Sequence, residues 1–534
     1  MLIEAESLQE SEHLEADICI VGAGIAGLAV VREFLDGGQS VLLLESGAAS
    51  GDGGANQFNE TENAGLPYLS PSLGRTRGFG GTSELWAGQC TPLNACDFAR
   101  RGWVPLSGWP ISFAALDPYH RRASEFFGLP VDAFDESNRR SFTIDGLGLD
   151  PALLVPQLSV FSPKRFVGRE HRDRVATSDR VRAVVGATVT ELCSSPSGRA
   201  VAAVEARTRS GKRLSFRARA VVLAGGAIEN ARLLLASSNH HPRGLGNGFD
   251  QVGRCLQDHV IGSCQMPGAT HQGTMGALEQ LVHVGALRWA QKFRLAEDEQ
   301  RLQATLNATA SIVYDYDDGA VVDSIVRVYR AMASRDWKEL RAADVAHVAA
   351  HPFKVLGFGA RHMGYTLPAF MRPTAIRLSV ISEQAPNPDS RVTLTNEVDR
   401  LGMPRARVDW RLTDLERGSL LAISRACRAE FSRLGLDHSI DHAWLESTDD
   451  SWKTQVRDIL HAAGTTRMSS DPASGVVDSD CKLHEAENVF VASTSVFPTS
   501  GHSNPVFTMT ALAIRLADHL KAKLGKSGSA PLPE

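Results

Sequence analysis

The sequence contains no CxxC pair, no long apolar run and no visible targeting segment. The eight cysteines are scattered, which disfavours zinc and iron–sulfur sites and is typical of reduced thiols; they occupy positions 19, 90, 96, 193, 255, 264, 427 and 481. No run reaches the roughly 18 apolar residues that a membrane-spanning helix requires. The first fifteen residues are acidic and contain neither an apolar h-region nor paired arginines. We therefore expect a cytoplasmic protein without a metal centre.

Neither sign of charge dominates the chain, because 56 basic residues stand against 61 acidic ones, a net charge of −5. Such a chain has no general attraction for nucleic acid or anionic membranes, so we expect small-molecule partners. A GxSxG nucleophile elbow is absent, which disfavours a serine hydrolase. With 534 residues, 43% of them hydrophobic, the chain can bury a large core, and we expect two domains.

Strand and helix patterns alternate at both ends of the chain. Residues 16–22 are typical of a buried strand, 25–36 of a helix and 41–44 of a second strand, which together predict a βαβ unit. Further strands are predicted at 188–192, 201–207, 375–382, 391–395 and 488–492, and further helices at 230–236, 320–333, 337–350, 452–461 and 505–520. The tail after Lys521 has the composition of a disordered segment.

These elements predict an α/β fold, α+β overall, with two domains. A Rossmann-like nucleotide-binding domain is expected from three separate segments, residues 1–110, 180–264 and 455–534. A substrate-binding domain with an antiparallel sheet and helices is expected from residues 111–179 and 265–454.

A glycine-rich turn follows the first predicted strand and opens the first predicted helix. Gly22 permits the tight turn, Gly24 lets a pyrophosphate approach the backbone, and Gly27 lets the helix pack closely on the strand. Glu45 ends the second strand, 18 residues after Gly27, and suits the ribose hydroxyls of an adenosine. The pattern predicts a dinucleotide site but does not separate FAD from NAD.

Two more glycine-rich features accompany this turn. The polar stretch from Ser46 to Gly81 is too long for an ordinary connection, which indicates a function. Ala224 and Gly225 form a second glycine-bearing strand end, which could return to the same cofactor or be a plain turn.

Six blocks of sequence resemble the glucose–methanol–choline (GMC) oxidoreductase family of FAD-dependent alcohol oxidases and dehydrogenases. They appear in the family's order over nearly the whole chain, and the C-terminal block is the most specific. They are GAGIAGL (22–28), RTRGFGGTSELWAGQ (75–89), AGGAIENARLLL (224–235), EQAPNPDSRVTL (383–394), HAAGTTRM (461–468) and GVVDSDCKLHEAENVFVASTSVFPTSGHSNPVFT (475–508). The chain looks most similar to the branch of sugar and polyol enzymes, such as pyranose 2-oxidase and the gluconate and fructose dehydrogenases.

The resemblance implies FAD as the cofactor, His461 as the active-site histidine and Asn504 as its partner. It places Gly80, Gly81, Thr82 and Ser83 against the flavin. Further candidate cofactor contacts are Val189, Ala224, Gly225, Ala492, Ser493, Asn504 and Pro505. Some relatives attach FAD to a histidine just after the GG motif, but residues 83–86 read Ser-Glu-Leu-Trp here. We therefore expect noncovalent FAD.

The implied pair suits alcohol oxidation, in which a hydroxyl proton and a carbon-bound hydride are lost, the hydride going to flavin N5. A histidine is a suitable base near neutral pH, and an asparagine amide can donate to the substrate oxygen without titrating. Each residue also has a structural alternative: His461 as a cation ending helix 452–461, and Asn504 as the N-cap before Pro505. His502 is a second candidate for the base.

The predicted function is oxidation of a CH–OH group of a sugar, glycoside or polyol, with oxygen, a quinone or a partner protein as electron acceptor. The alternatives are a non-redox lyase of the same fold, such as a hydroxynitrile lyase, and a flavin-binding scaffold without catalysis. The substrate, the carbon oxidised and the oligomeric state stay open. Among nearby residues, we expect Asp258-His259 to be structural and Trp86 to serve packing rather than stacking on substrate. Glu383 and Gln384 could line the pocket, although the base rate for glutamate favours a surface carboxylate.

Overall fold

The predicted βαβ unit forms the centre of a large, mostly parallel sheet. The computed structural model describes residues 1–135, 143–269, 278, 281–284, 286–316, 319–334, 340–362, 373–436, 439–526 and 532. Eight strands of this described part form the sheet, in the order Leu2–Glu4, Val181–Val185, Val41–Glu45, His13–Val21, Arg213–Leu223, Val201–Arg207 and Thr188–Ser194, with Val489–Val491 pairing beside Arg213–Leu223. Only the pairings that involve Val201–Arg207 are antiparallel.

Helices cover this sheet because its strands are apolar on both faces. Every residue of Val41–Glu45 is buried, as expected for a central parallel strand. Helix Ile25–Arg32 buries its first seven residues and contacts the C-terminal helix Val506–Lys526 and helix Val167–Thr177. Helix Asp117–Phe127 also packs on the C-terminal helix.

A second, antiparallel sheet forms the other half of the fold. Its order is Arg457–Asp458, Val260–Gln265, Ala375–Ser382, Ala308–Asp315, Leu287–Leu295, Leu154–Phe161 and Gln89–Cys90, with the hairpin strand Leu281–Val284 beside Leu287–Leu295. Helix Asp414–Arg433 covers one face, where Phe431 meets Phe293 with ring centroids 5.4 Å apart. A capping box fixes the start of this helix, because Thr413 and Glu416 each satisfy a backbone N–H of the other's segment.

A small third sheet joins Arg391–Val398 and Pro404–Asp409 to Thr61–Asn63. Its first two strands pack on helix Gly226–Ala236, which starts at the end of a strand of the first sheet. Residues 391–409 therefore contact the nucleotide-binding half, although the sequence assigned them to the substrate-binding domain.

The expected division into domains also differs at its edges. The boundary at residue 264 cuts through strand Val260–Gln265, and that strand pairs only with members of the second sheet among the described residues. Gln89–Cys90 and Arg457–Asp458 join the second sheet as well. Short strands next to a chain crossover carry too little local pattern to reveal the sheet in which they pair.

Two element predictions are wrong. Residues 452–461 do not form a helix, because a 3-10 turn, Asp450–Thr454, leads into strand Arg457–Asp458, which pairs with Val260 and Ile261. Leu460 then adopts a left-handed conformation, with φ of 67°, just before His461. The C-terminal helix continues through Lys526 rather than ending before a disordered tail; residues 527–531 and 533–534 lie outside the described part.

The α/β fold class is confirmed: a Rossmann-like nucleotide-binding half adjoins an antiparallel sheet with helices. The remaining described helices are Ser70–Leu73, Ala95–Phe98, Glu297–Leu302, Gly319–Ser334, Ala342–Ala350, Pro352–His362 and Ala443–Glu446. Across the described residues, we find no helix with the length and apolar character needed to cross a membrane.

Candidate active site and cofactor cradle

The three glycines of the turn differ in what surrounds them, and the difference fits a bound dinucleotide. A Cβ at Gly27 would lie 2.0 Å from the Gly22 carbonyl oxygen, and one at Gly22 would lie 2.8 Å from the Ala224 oxygen. Gly24 has no atom within 4 Å of a Cβ position. Gly22 and Gly27 thus serve close packing, whereas Gly24 borders open space at a helix N-terminus, where a phosphate binds favourably.

Glu45 connects this turn to two other loops. Its buried carboxylate accepts hydrogen bonds from the backbone N–H groups of Ala23 at 2.9 Å, Gly47 at 2.8 Å and Gly78 at 2.8 Å. The remaining acceptor capacity of the carboxylate could take a ribose hydroxyl. Glu45 therefore shapes the cradle as well as offering an acceptor to the adenosine.

The GG motif packs directly on the phosphate turn. The Gly80 N–H donates to the Ala23 carbonyl at 2.9 Å, and a Cβ at Gly81 would lie 2.9 Å from the Gly24 Cα. Ser83 is buried and donates to the Gly80 carbonyl at 2.8 Å, whereas Thr82 is exposed. Only a chain without side chains at these positions can approach the turn so closely, so the motif completes one wall of the cradle.

Other predicted cofactor contacts lie at the ends of neighbouring strands. Ala224 adjoins Gly22 as described, and the Ala492 N–H donates to the Leu223 carbonyl at 2.9 Å. Val189 is buried in a strand whose first residue, Thr188, contacts Ser46 through their hydroxyls at 2.6 Å.

The loop that follows His461 is held against these same strand ends. The Thr465 hydroxyl donates to the Ala227 carbonyl at 2.6 Å, and the Thr494 hydroxyl donates to the Ala462 carbonyl at 2.7 Å. The Gly464 N–H donates to the Thr494 carbonyl. His461 is thus fixed relative to the cofactor cradle.

His461 and Asn504, 43 positions apart, are brought together. The Asn504 Nδ2 lies 3.2 Å from the His461 Nε2. Both side chains are partly exposed, whereas His259 and His502 are buried. Solvent therefore reaches the pair through an opening beside it.

His259 contacts the far side of the His461 ring, and this contact determines where the protons lie. The His259 Nε2 is 2.7 Å from the Gly501 carbonyl oxygen, which can only accept, so Nε2 carries a hydrogen. In neutral His259 the Nδ1 is then a bare acceptor, 2.8 Å from the His461 Nδ1. His461 therefore donates through Nδ1 and presents a lone pair at Nε2, which accepts from Asn504. The His461 Nε2 is therefore the nitrogen that can act as a base.

Asp258 holds the backbone of this region. Its carboxylate accepts from the His461 N–H at 2.9 and 3.0 Å, from the His259 N–H at 2.8 Å and from the Tyr68 hydroxyl at 3.0 Å. Burial and the nearby carboxylate of Asp458 raise the pKa of Asp258 to about 7. These contacts stabilise the left-handed turn at Leu460 that aims His461.

The expectation for Asp258-His259 is thus incomplete: Asp258 is structural, but His259 touches the candidate base. Sequence reasoning missed this because the two histidines are 202 positions apart. The available signal was two adjacent titratable residues at the start of a buried strand, Val260–Gln265.

Glu383 and Gln384 are fully buried, so the expected surface location of the Glu383 carboxylate is wrong. Glu383 forms a two-pronged ion pair with Arg101, both N–O distances being 2.8 Å, and accepts from the Gly501 N–H at 3.3 Å. Gln384 accepts from the Asp258 N–H at 2.8 Å. Glu383 and Gln384 therefore hold the backbone segments that position the His259–His461 pair. Trp86 donates to the Arg165 carbonyl and packs on Phe127.

His502 lies deeper than His461 and points elsewhere. Its side chain is 3% exposed, and its Nε2 lies 2.8 Å from the Asn94 Oδ1. Its Nδ1 is buried without a hydrogen-bond partner among the described residues. This geometry makes His502 a neighbour of the opening rather than the partner of Asn504.

The electrostatics keep all three histidines neutral near physiological pH. Burial lowers the pKa of His461 well below its usual value, and the electrostatic influence of the neighbouring His259 and Lys292 lowers it further. Burial lowers the pKa of His259 to about 4, and it lowers that of His502 strongly. A neutral His461 has a free lone pair and can accept a proton.

Two known families match separate parts of the chain. Residues 17–243 match the family described as FAD dependent oxidoreductase, and residues 386–513 match the family described as GMC oxidoreductase. These ranges contain the glycine turn with Glu45 and the loop with His461 and Asn504, respectively.

Characterised relatives and solved structures are similar over nearly the whole chain. The 2-methyl-1,2-propanediol dehydrogenase of Mycolicibacterium austroafricanum is 24% identical over 95% of this chain and 96% of its own length. The 6'''-hydroxyparomomycin C oxidase of Streptomyces lividus is 23% identical over 95% and 92%, respectively. A fungal aryl-alcohol oxidase structure aligns with a TM-score of 0.59 and 16% identity, covering 97% of this chain and 100% of that one.

The geometry and the matches agree on the cofactor. The open space at Gly24, the glycine wall and the strand ends fit a dinucleotide, and the matching family binds FAD. The chain therefore contains a region that matches FAD dependent oxidoreductases and a C-terminal region that matches GMC oxidoreductases, and FAD is its cofactor.

Proposed function

We propose that the protein oxidises a CH–OH group of a sugar, glycoside or polyol, with His461 as the general base. The observation that carries the proposal is the chain of hydrogen bonds from Asn504 through His461 and His259 to the Gly501 carbonyl. This chain places the single lone pair of the neutral His461 ring at Nε2, where the Asn504 amide donates to it and where a bound substrate hydroxyl would take the place of the amide.

The reaction requires the substrate to lose a proton from oxygen and a hydride from carbon, leaving a carbonyl group. FAD, when bound, supplies the acceptor for the hydride. The His461 Nε2 accepts the hydroxyl proton, and the Asn504 amide donates to the substrate oxygen as negative charge develops there. His259 is a positioning residue, because its Nδ1 holds the hydrogen of His461 on the remote nitrogen and stabilises the protonated ring.

The substrate class is supported by the names of the relatives. They are the 2-methyl-1,2-propanediol dehydrogenase, the 6'''-hydroxyparomomycin C oxidase and a C-glycoside 3-oxidase of Microbacterium trichothecenolyticum. The last is 25% identical over 90% of this chain and 79% of its own length. We further propose noncovalent FAD, because Ser83 follows the GG motif and no histidine stands at residues 83–86. Oxygen, a quinone and a partner protein are the candidate electron acceptors.

Anaerobic mixing of the purified yellow protein with sugars, glycosides and polyols tests the proposal. We expect one class to bleach the flavin absorbance, and admission of air then separates an oxidase from a dehydrogenase by the rate at which the colour returns. A His461→Ala variant should retain FAD and reduce it about 10²- to 10⁴-fold more slowly.

The matched control is His502→Ala, which removes a neighbouring buried histidine. If His502→Ala abolishes bleaching while His461→Ala does not, the base is misassigned. If no alcohol bleaches a protein that holds FAD, oxidation of CH–OH groups is the wrong reaction.

A further inference from the structure

One face of the second sheet carries buried polar side chains where a core would place apolar ones. Directly opposed residues of neighbouring strands share a face, so this polar face can be read from the strand register. It contains Gln157, Ser159, Lys292, Thr309, Ser311 and Ser379. All six side chains are buried.

This polar face points toward the histidines. Successive side chains of a strand alternate between faces, and Phe293, the neighbour of Lys292, packs under helix Asp414–Arg433. Lys292 therefore points away from that helix. His259 lies two residues before Ile261, which the register with Ile381 and Thr309 puts on this same face. The Lys292 charge also lowers the pKa of His259, His461 and His502.

Lys292 differs from the other buried cations in having no partner. It is 5% exposed and makes no hydrogen bond or ion pair with any described residue. Arg101, by contrast, is paired with Glu383 at 2.8 Å, and Arg232 with Asp399 at 2.7 Å. Burial lowers the pKa of Lys292 to about 8. A cation in a largely buried side chain without an ion-pair partner is costly, and such groups concentrate at binding sites.

We propose that Lys292 binds a carboxylate of the substrate, so that the preferred substrate is a hydroxy acid whose remaining hydroxyls contact the polar sheet face. The assignment rests on the proposed function for the reacting end of the molecule. One lysine balances one negative charge, which favours a carboxylate over a phosphate monoester carrying a charge of about −1.5 to −2. The neighbouring cation on this face, Arg294, already faces Glu297 at 3.7 Å.

The test compares hydroxy acids of three to six carbons with their neutral amides, using the FAD-loaded protein. We expect anaerobic flavin reduction to favour the acid over its amide by about 10- to 100-fold in kcat/KM, the range for a hydrogen bond to a charged group. Lys292→Met should remove this preference by slowing the acid far more than its amide, and Lys292→Arg should retain part of it.

Binding without reaction provides an independent readout. 2-Hydroxyisobutyrate is a tertiary alcohol, so its hydroxyl-bearing carbon has no hydride to lose, and its binding can be measured by titration calorimetry. We expect it to bind the wild-type protein more tightly than its amide does, and Lys292→Met to abolish the difference.

Arg288→Met is the matched control. It removes a cation from the same strand and the same face, four residues or about 13 Å away, where the guanidinium lies over Phe161. We expect it to preserve the preference for acids. Thermal unfolding of each variant reports whether the fold is kept.

The outcomes separate the two proposals. Equal binding of acid and amide, or an unchanged preference in a folded Lys292→Met variant, refutes the carboxylate subsite. Preferential binding of the acid without bleaching by any alcohol retains the subsite and refutes the proposed oxidation.

Discussion

Replacing His259 by phenylalanine tests whether the histidine pair sets the proton position on His461. The variant keeps a flat ring in a fully buried position and removes both ring nitrogens. The His461 Nδ1–H then loses the acceptor that lies 2.8 Å away, and the hydrogen is no longer held on the remote nitrogen. The hydrogen can then lie on Nε2 instead, and a ring in that tautomer has no lone pair at Nε2 to accept the substrate proton.

The size of the effect follows from the charge that His461 gains when it accepts a proton. A hydrogen bond to a charged group contributes about 1.5–3 kcal/mol, and each 1.36 kcal/mol changes a rate about tenfold. We therefore expect flavin reduction in His259→Phe to be about 10- to 100-fold slower, with FAD still bound.

Anaerobic stopped-flow spectroscopy measures this rate directly. The matched control is His241→Phe, since the His241 Nε2 also contacts a glycine carbonyl, that of Gly198 at 3.0 Å, but on the nucleotide-binding half. We expect the control to reduce FAD at the wild-type rate. A His259→Gln variant, whose amide can both donate and accept, should recover part of the loss. An unchanged rate in a folded, FAD-loaded His259→Phe variant refutes the tautomer argument.

Three further outcomes are expected. Gly24→Ala should weaken FAD binding at least about tenfold while the apoprotein keeps its melting temperature. Gly27→Ala should instead lower the free energy of unfolding of the apoprotein by about 1–3 kcal/mol in denaturant titration, because its Cβ would lie 2.0 Å from a carbonyl oxygen. Glu45→Gln should lower the FAD content of the purified protein, since an amide N–H would face one of three backbone donors. The lowered pKa of His461 means that the base is neutral at pH 6.5, so kcat/KM should fall only as the pH drops well below that value; an acidic limb above pH 6.5 contradicts this assignment.

The parts of the fold that depend on local pattern were predictable from the sequence. The βαβ unit and its glycine turn are encoded within about 30 consecutive residues, and strand Ala375–Ser382 was predicted with its observed bounds. FAD and the GMC resemblance are confirmed at the level of the two matched domains. The finer sugar and polyol branch stays a proposal, and the cytoplasmic location stays a prediction.

Features that depend on long-range contacts were missed. The turn before His461 resembled a helix because its pairing with Val260 and Ile261 and its left-handed Leu460 leave no local signature. Glu383 was expected at the surface because its partner, Arg101, is 282 positions away. The type of a charged residue indicates that its burial costs free energy. The sequence does not show which distant partner offsets that cost.

The site divides its tasks between backbone and side chains, and this division predicts which changes the protein tolerates. Backbone groups hold the catalytic side chains in position: the Gly501 carbonyl orients His259, and the His461 N–H binds Asp258. Close contacts of glycines shape the cofactor cradle. Substitution of side chains leaves these backbone groups in place. Side chains of the sheet face, Lys292 among them, instead determine what can lie in the opening. Replacing that lysine should therefore change which alcohol is oxidised, slowing acids more than neutral substrates, and replacing His259 should slow the oxidation of every substrate alike.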